Sequence, residues 1–419
     1  MSKNEYKVIK DYFDKGNTIF DTEIITIGLV GINDNSDSAS ARYKVDRIYS
    51  SQQGHNEKFK QIRQFISKLN DELSNNENTG FKKEDNKKGW SIFFLIKECI
   101  QFLSTQEKGF NYYRGQRDGS WETIPSAFRD LTDDNGNMYF SEFENIYKEI
   151  HKKYPEKVTY IELPEMDTSD QCQKIILKRG QQLALLQHYD LYTPLLDITS
   201  NPYVALLFMT NGQIDKPQLE FYDIGSSALF MEPDKTNDNS RILAQKGAFL
   251  NYEMLLSKVE KNVNLLDKLK EDISFKIPRL ILKIEYLEDE TEKYNTPKMA
   301  KELEELLSNK EDLKLLLNSL DDSPSFNIQK NKLEVYQEVQ THIRRKLYEF
   351  NYFEDDLFPD FEDLLKSRMK KFIENIEPTP LTNFSRYLEG LFKDMSEEKQ
   401  KSLINSLMDY VENEYKELK

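Results

Sequence analysis

Apolar positions along the chain fall into blocks separated by polar, Asn/Lys/Glu-rich stretches, and the spacing within each block predicts the element it builds. Ile24 to Ile32 is an apolar run holding Gly28 and Gly31. Beyond an Asn/Asp/Ser-rich break, Tyr43, Val45 and Tyr49 alternate with polar residues, so the two stretches predict a small strand pair. Phe59, Ile62, Phe65, Ile66, Leu69 and Leu73 recur at helical intervals and predict an amphipathic helix with a face to dock. Asn75 to Gly89 has the composition of a connection, and a boundary is expected there.

Trp90 to Leu103 is apolar around most of its circumference, which predicts a buried helix leading into a strand that carries Arg114. Helices are expected over Phe140 to Lys153 and Leu177 to Tyr189, then a short buried strand over Leu195 to Ile198. Pro202 at a first turn starts a further helix, Tyr203 to Phe208. Ser227 to Met231, Ala248 to Tyr252 and Arg279 to Tyr286 predict later strands. From Glu288 to Glu349 the pattern is helical, with leucines 303 to 320 and residues Leu333 to Leu347 as two sets separated at Asp321-Asp322-Ser323-Pro324. Phe361 to Ile376 and Ser396 to Leu418 predict two last helices.

The expected fold class is therefore α+β: a mixed or antiparallel sheet core, a helical insertion and a helical C-terminal region. The expected domains are residues 1–80 as an accessory strand pair plus helix, 90–290 as the core, 291–350 as a helical hairpin insertion, 351–375 as the end of the core, and 376–419 as a helical extension.

Composition narrows the function classes. With 38% hydrophobic residues, 23 Tyr and 25 Phe, the 419-residue chain has the apolar mass to fold despite 31% charged residues. A formal charge of −15 repels polyanions, so duplex DNA and acidic membranes are not expected partners. Two cysteines, Cys99 and Cys172, argue against a disulfide framework and a thiolate metal site, and a reducing cytoplasm is the expected location. Ser2-Lys3-Asn4-Glu5 opens no signal core, and no apolar run reaches the ~20 residues of a membrane span. Four scattered histidines give no metal motif, so no metal is expected, and neither a phosphate-loop motif nor Gly-x-Ser-x-Gly occurs.

Candidate chemistry lies in Tyr113-Arg114-Gly115-Gln116, Gln187-His188-Tyr189 and Thr193-Pro194-Leu195-Leu196-Asp197-Ile198-Thr199-Ser200-Asn201-Pro202, where polar groups edge apolar segments. Gly115 would allow backbone to approach a ligand beside the Arg114 guanidinium. A dinucleotide needs a guanidinium for its diphosphate, a polar group for ribose and an aromatic plane for its base. Arg114, Arg129, His188, Tyr189, Thr199 and Gln245 supply these types, and Asp197 could orient Arg114 or His188. Each has a structural alternative: Arg114 paired with a carboxylate, His188 satisfied in the core, Asp197, Thr199 and Ser200 as caps, Gln245 tying two strands.

These motifs, with Trp121, Pro125-Ser126, Arg129, Ala205, Phe208, Arg241-Ile242, Gln245-Lys246-Gly247-Ala248-Phe249 and Leu357-Phe358-Pro359-Asp360, resemble the FRG domain over roughly Trp90 to Lys370. That resemblance implies a prokaryotic module, common in bacteria and phage. The order of motifs is also similar, more weakly, to ADP-ribosyltransferases, which implies a transferase-like sheet core and NAD as substrate. Carried over, Arg114 holds the dinucleotide, Thr199 with Ser200 supports the site, and a third-motif residue orients ribose or acceptor. Gln245 sits in the matching block, and Glu253 and Glu285 are the nearest carboxylates. The catalytic set expected is Arg114, His188, Thr199, Gln245 and Glu285; the set expected to contact NAD is Arg114, Gln116, Arg129, Tyr189, Asp197 and Ser200. The function implied is NAD-dependent ADP-ribosylation of a macromolecule by a toxin or antiphage effector. The alternative is a non-catalytic module that binds a nucleotide or a partner. Helices at either end of the chain are expected to offer a protein-partner surface.

Overall fold

The computed structural model describes residues 3–14, 18–31, 43–74, 92–105, 109–129, 131, 137–165, 170–212, 214–225, 227–233, 240–259, 263–287, 324–357 and 369. Its strands are β1 (Phe20–Gly31), β2 (Tyr43–Ser50), β3 (Tyr112–Gln116), β4 (Leu195–Thr199), β5 (Gln218–Tyr222), β6 (Phe230–Met231), β7 (Gly247–Asn251), β8 (Lys258–Val259), β9 (Val263–Asn264) and β10 (Ile277–Tyr286). Its helices are α1 (Lys3–Asp14), α2 (Glu57–Ser74), α3 (Ile92–Leu103), α4 (Tyr139–Lys153), α5 (Asp170–His188), α6 (Pro202–Met209), α7 (Ser240–Ala244), α8 (Leu265–Glu271) and α9 (Pro324–Glu349). Among the described residues no helix is long and apolar enough to cross a membrane.

The chain divides into two compact units, residues 1–285 with 337–360, and residues 286–336 with 361–419. In the second, the Tyr286 backbone N–H donates to Tyr336 Oη at 3.2 Å. The first expected helix of the insertion, its Asp-Asp-Ser turn and both helices after Phe361 lie outside the described residues.

The first unit is built on an eight-stranded sheet in the order β2-β1-β10-β5-β3-β4-β7-β6, so the architecture is α+β. Every pairing from β10 to β6 is antiparallel, as is β1 with β2. The strand pair expected in an accessory domain is thus the edge of this same sheet. β1 buries Asp21, Glu23, Ile25 and Ile27 on one face and Phe20 and Thr26 on the other, so both its faces are covered, a burial that two strands alone cannot supply. Glu23 accepts hydrogen bonds from Arg63 Nη2 (2.6 Å) and from the Gly54 and Gln52 backbone, locking α2 and the turn before it to β1. Asn70 covers the outer edge of β2, its side-chain amide pairing with both the N–H and the C=O of Ile48.

Two strand expectations change. Ser227 to Met231 contracts to the two residues of β6, and β5 is a central strand that the sequence pattern did not announce. All five β5 residues are buried, with Gln218 and Glu220 held in a polar layer, so Gln-Leu-Glu-Phe-Tyr reads as surface when its partners are unseen.

α6 lies directly on β3. Its start is set by Asn201, whose side chain accepts from the Tyr203 N–H at 3.0 Å, and by Pro202, whose missing N–H costs nothing at that position. A Cβ built on Gly115 would sit 1.8 Å from the Ala205 carbonyl oxygen and 2.8 Å from the Met209 nitrogen. The close approach that Gly115 permits is therefore to α6, not to a ligand. The Gly115→Ala variant must push α6 off the sheet and is expected to lose about 3 kcal/mol of unfolding free energy. A loss below about 0.5 kcal/mol in urea titration would show that α6 relaxes freely.

A buried charge cluster joins four elements. Arg179 of α5 is 0% exposed. Its Nε donates to both Glu253 oxygens at 3.2 and 2.9 Å, and its Nη2 donates to Glu253 and to Glu144 of α4. Its Nη1 donates to the Ile161 carbonyl, while Tyr160 donates to Glu144 at 2.9 Å and Tyr6 of α1 to Glu253 at 3.4 Å. Burial opposes the guanidinium charge, but the Glu253 and Glu144 carboxylates outweigh it and hold Arg179 well above the usual arginine range. Removing the cation strands two buried carboxylates, so Arg179→Leu is expected to cost about 3–5 kcal/mol. Equilibrium urea unfolding measures this, and an unchanged midpoint would refute the role given to the cluster.

Candidate functional site

Arg114 stands at the middle of β3, hydrogen-bonded on one side to β5 and on the other to β4. Its Nη1 donates to the backbone carbonyl of Asp197 at 2.8 Å. Its Nε is buried and has no hydrogen-bond partner. Asp197, exposed on β4, does not turn its carboxylate to Arg114; Oδ1 instead accepts from Gln187 Nε2 at 2.7 Å. Gln187 is fixed in turn, its Oε1 accepting from Thr193 Oγ1. The last turn of α5 and the start of β4 are therefore tied together by one amide.

Arg129, just after the short 3-10 turn Ser126–Phe128, stands near enough to Arg114 for the two charges to interact. Loss of hydration and then Arg114 lower its pKa, while Tyr192 and Asp197 act in the opposite sense. Among the described residues neither arginine makes an ion pair with a carboxylate. Two guanidiniums that repel each other, one with an unused buried donor, form a local positive field on an acidic protein. Tyr192 is 45% exposed beside them, and Tyr189 at the end of α5 is 62% exposed. Both present aromatic faces to solvent.

The other expected residues divide. Thr199 is buried; its Oγ1 donates to the Gln245 carbonyl at 2.7 Å and accepts from the Asn201 N–H at 3.0 Å. Ser200 donates through its backbone N–H to the Lys246 carbonyl at 3.0 Å. The Gln245 side chain donates to the Leu357 carbonyl at 3.1 Å. These three residues join β4, the turn before β7 and the 3-10 segment Glu354–Leu357. His188 packs edge-to-face on Tyr189, with ring centroids 5.0 Å apart. Glu253 belongs to the Arg179 cluster. Glu285 lies toward the far end of β10, two strands from β3, where it accepts from Tyr49 Oη at 3.0 Å. It does not join Arg114.

Gln116 belongs to a buried layer that sequence inspection missed. Gln218 donates to Gln116 and to Glu220 Oε1, the latter at 2.9 Å. Glu220, 0% exposed, also accepts from Thr123 at 2.9 Å and from Tyr222, with Arg279 Nη1 at 3.7 Å. Glu220 is directly opposite Arg114 in the β3/β5 register. The signal was present as polar and apolar residues alternating through Gln218-Leu219-Glu220-Phe221 between turn residues at Asn211-Gly212, Pro217 and Gly225, but a five-residue strand whose polar side chains read as a solvent face does not stand out. Burial raises the Tyr222 hydroxyl pKa and Glu220 raises it further; Arg279 and Arg114 act against them, placing the Arg114 charge near this layer. Among the described residues, no group of three or more His, Cys, Asp or Glu side chains is arranged to hold a metal ion.

Comparison with curated proteins and with solved structures gives no match. A family model does match, and it spans β3 through the first residue of β5, taking in Arg114, Arg129, Gln187 and Asp197 while stopping short of Gln245 and Leu357. Residues 110–218 of this chain are an FRG domain.

Proposed function

We propose that the FRG domain binds a phosphorylated ligand of the nucleotide class, with Arg114 and Arg129 receiving its phosphates. The observation that supports this most directly is the unpartnered, buried Nε of Arg114 beside a second guanidinium that, among the described residues, makes no ion pair. A diphosphate supplies acceptors for both heads and removes their mutual repulsion. Tyr189 and Tyr192 offer planes for a base. NAD is the dinucleotide implied by the transferase-like order of motifs, and it fits these residue types.

Binding is favoured over group transfer as the primary activity. The Thr199 hydroxyl and the Gln245 amide are already engaged within the protein, and Glu285 lies elsewhere on the sheet. The carboxylate whose charge acts on Arg129 is that of Asp197. Its orientation by Gln187 supports a second reading, NAD-dependent modification of a macromolecule in a toxin or antiphage role, with Asp197 facing the ribose.

Calorimetric titration of the full chain with NAD, ADP-ribose and ADP tests the first reading. Arg114→Ala is expected to weaken binding about 10- to 100-fold, as loss of a charge-assisted contact does, and Glu285→Ala to leave it unchanged. Asp197→Asn keeps the oxygen that accepts from Gln187 but removes a negative charge, so it should tighten binding. Absence of saturable binding by all three ligands would overturn the proposal. Transfer of label from NAD to a lysate protein, lost in Asp197→Asn while binding persists, would establish the second reading.

A further inference from the structure

A second place in the fold has the features of a ligand site, and it involves none of the residues around Arg114. The Gln173 to Leu177 turn of α5, the segment Ser227 to Met231, and Asn251 with Met254 line a cavity of about 330 Å³ that is open to solvent on one side. Its walls are mainly apolar, among them Ile176, Leu177, Leu229, Met231 and Met254. The volume lies at the lower end of those that take small organic ligands.

Three polar residues, Gln173, Ser227 and Asn251, interrupt this lining, and Asn251 is the buried one. It is 1% exposed, and its Nδ2 has no hydrogen-bond partner. The orientation of the amide is fixed chemically, because Oδ1 accepts from the Glu253 N–H at 3.0 Å and a flipped amide would set donor against donor. Two N–H bonds on a buried nitrogen are thus left without an acceptor, an arrangement that costs free energy unless something brings one. Met231 occupies the space next to it: a Cβ on Gly180 would meet the Met231 sulfur at 2.1 Å and Asn251 Nδ2 at 3.6 Å. Gly180 therefore lets the Met231 thioether press against α5 near the amide, and thioethers adapt readily to a guest.

We infer that this cavity binds a small, largely apolar molecule bearing one hydrogen-bond acceptor, such as a ketone, ester or amide oxygen, which Asn251 Nδ2 receives while Ile176, Leu229, Met231 and Met254 surround the hydrocarbon. An acceptor completes the amide, and the hydrocarbon replaces solvent against apolar walls. A charged head has no counter-ion among the lining residues, so the site selects neutral ligands.

The probe is 4-phenyl-2-butanone, compared with butylbenzene, which lacks the oxygen. With methyl-labelled methionine in the full chain, resonances assigned through Met231→Leu and Met254→Leu report occupancy. The ketone is expected to shift both signals saturably and to bind about fivefold or more tightly than butylbenzene, the size of one net hydrogen bond. Asn251→Asp keeps the oxygen facing Glu253 N–H but replaces the donor, and should erase the preference. Should that variant fail to fold, Ala228→Trp at the exposed rim is expected to abolish binding of both probes. Unmoved methionine signals at the solubility limit, equal affinity for the two probes, or full binding in Ala228→Trp would each overturn the assignment.

Discussion

The contact between Arg179 and its two carboxylates fixes α5, and α5 fixes the candidate site. One buried guanidinium facing Glu144 and Glu253 leaves an excess negative charge in the interior, which is tolerated because Tyr6, Tyr160 and the donors of Arg179 itself occupy the carboxylate oxygens. Such a cluster contributes less net free energy than apolar packing of equal volume. Its value is directional, since a fork of N–H groups can meet Glu144, Glu253 and the Ile161 carbonyl in only one pose. From that anchor, two further turns of helix carry Gln187 to the point where it reaches Thr193 and Asp197.

The same rule of satisfied charge explains why Arg114 differs from Arg279, the sheet arginine nearest it in strand order. Glu220 is opposite Arg114 in register and would be its natural partner. Arg279, diagonal to it across β10, lies within 3.7 Å of that carboxylate, while Thr123, Gln218 and Tyr222 fill its remaining acceptor positions. Glu220 is thereby saturated without Arg114. Asp197 is likewise held by Gln187. The guanidinium is left with one backbone carbonyl and an idle Nε, a state that intramolecular pairing could have removed and did not.

Legibility in the sequence followed the range of the interactions. α2, α3, α4 and α6 were readable because their apolar spacing, capping residue or proline is local to each helix. The place of β1 and β2 in the central sheet was not, because pairing with β10 joins segments more than two hundred residues apart and leaves no mark in either. Arg114, Arg129 and Asp197 could be singled out by residue type, whereas the bonds of Thr199 and Gln245 to backbone carbonyls could not be read, because only the folded chain brings those carbonyls near. Arg179 was invisible for a related reason. Lys178-Arg179-Gly180 reads as a solvated helix face until Glu144 and Glu253 arrive from distant segments.

α5 also separates two chemistries that would otherwise interfere. Its final turn holds the polar tie beside the arginines, its early turns form one wall of an apolar cavity, and Arg179 lies between them. An apolar guest needs side chains that yield, and the Met231 and Met254 thioethers supply this. An anion site needs donors that stay in place before the ligand arrives, because reorganising charge on binding wastes affinity. A helix clamped at mid-length by Arg179 holds the Gln187 tie and the cavity wall apart, and that is the part the buried cluster plays in both proposals.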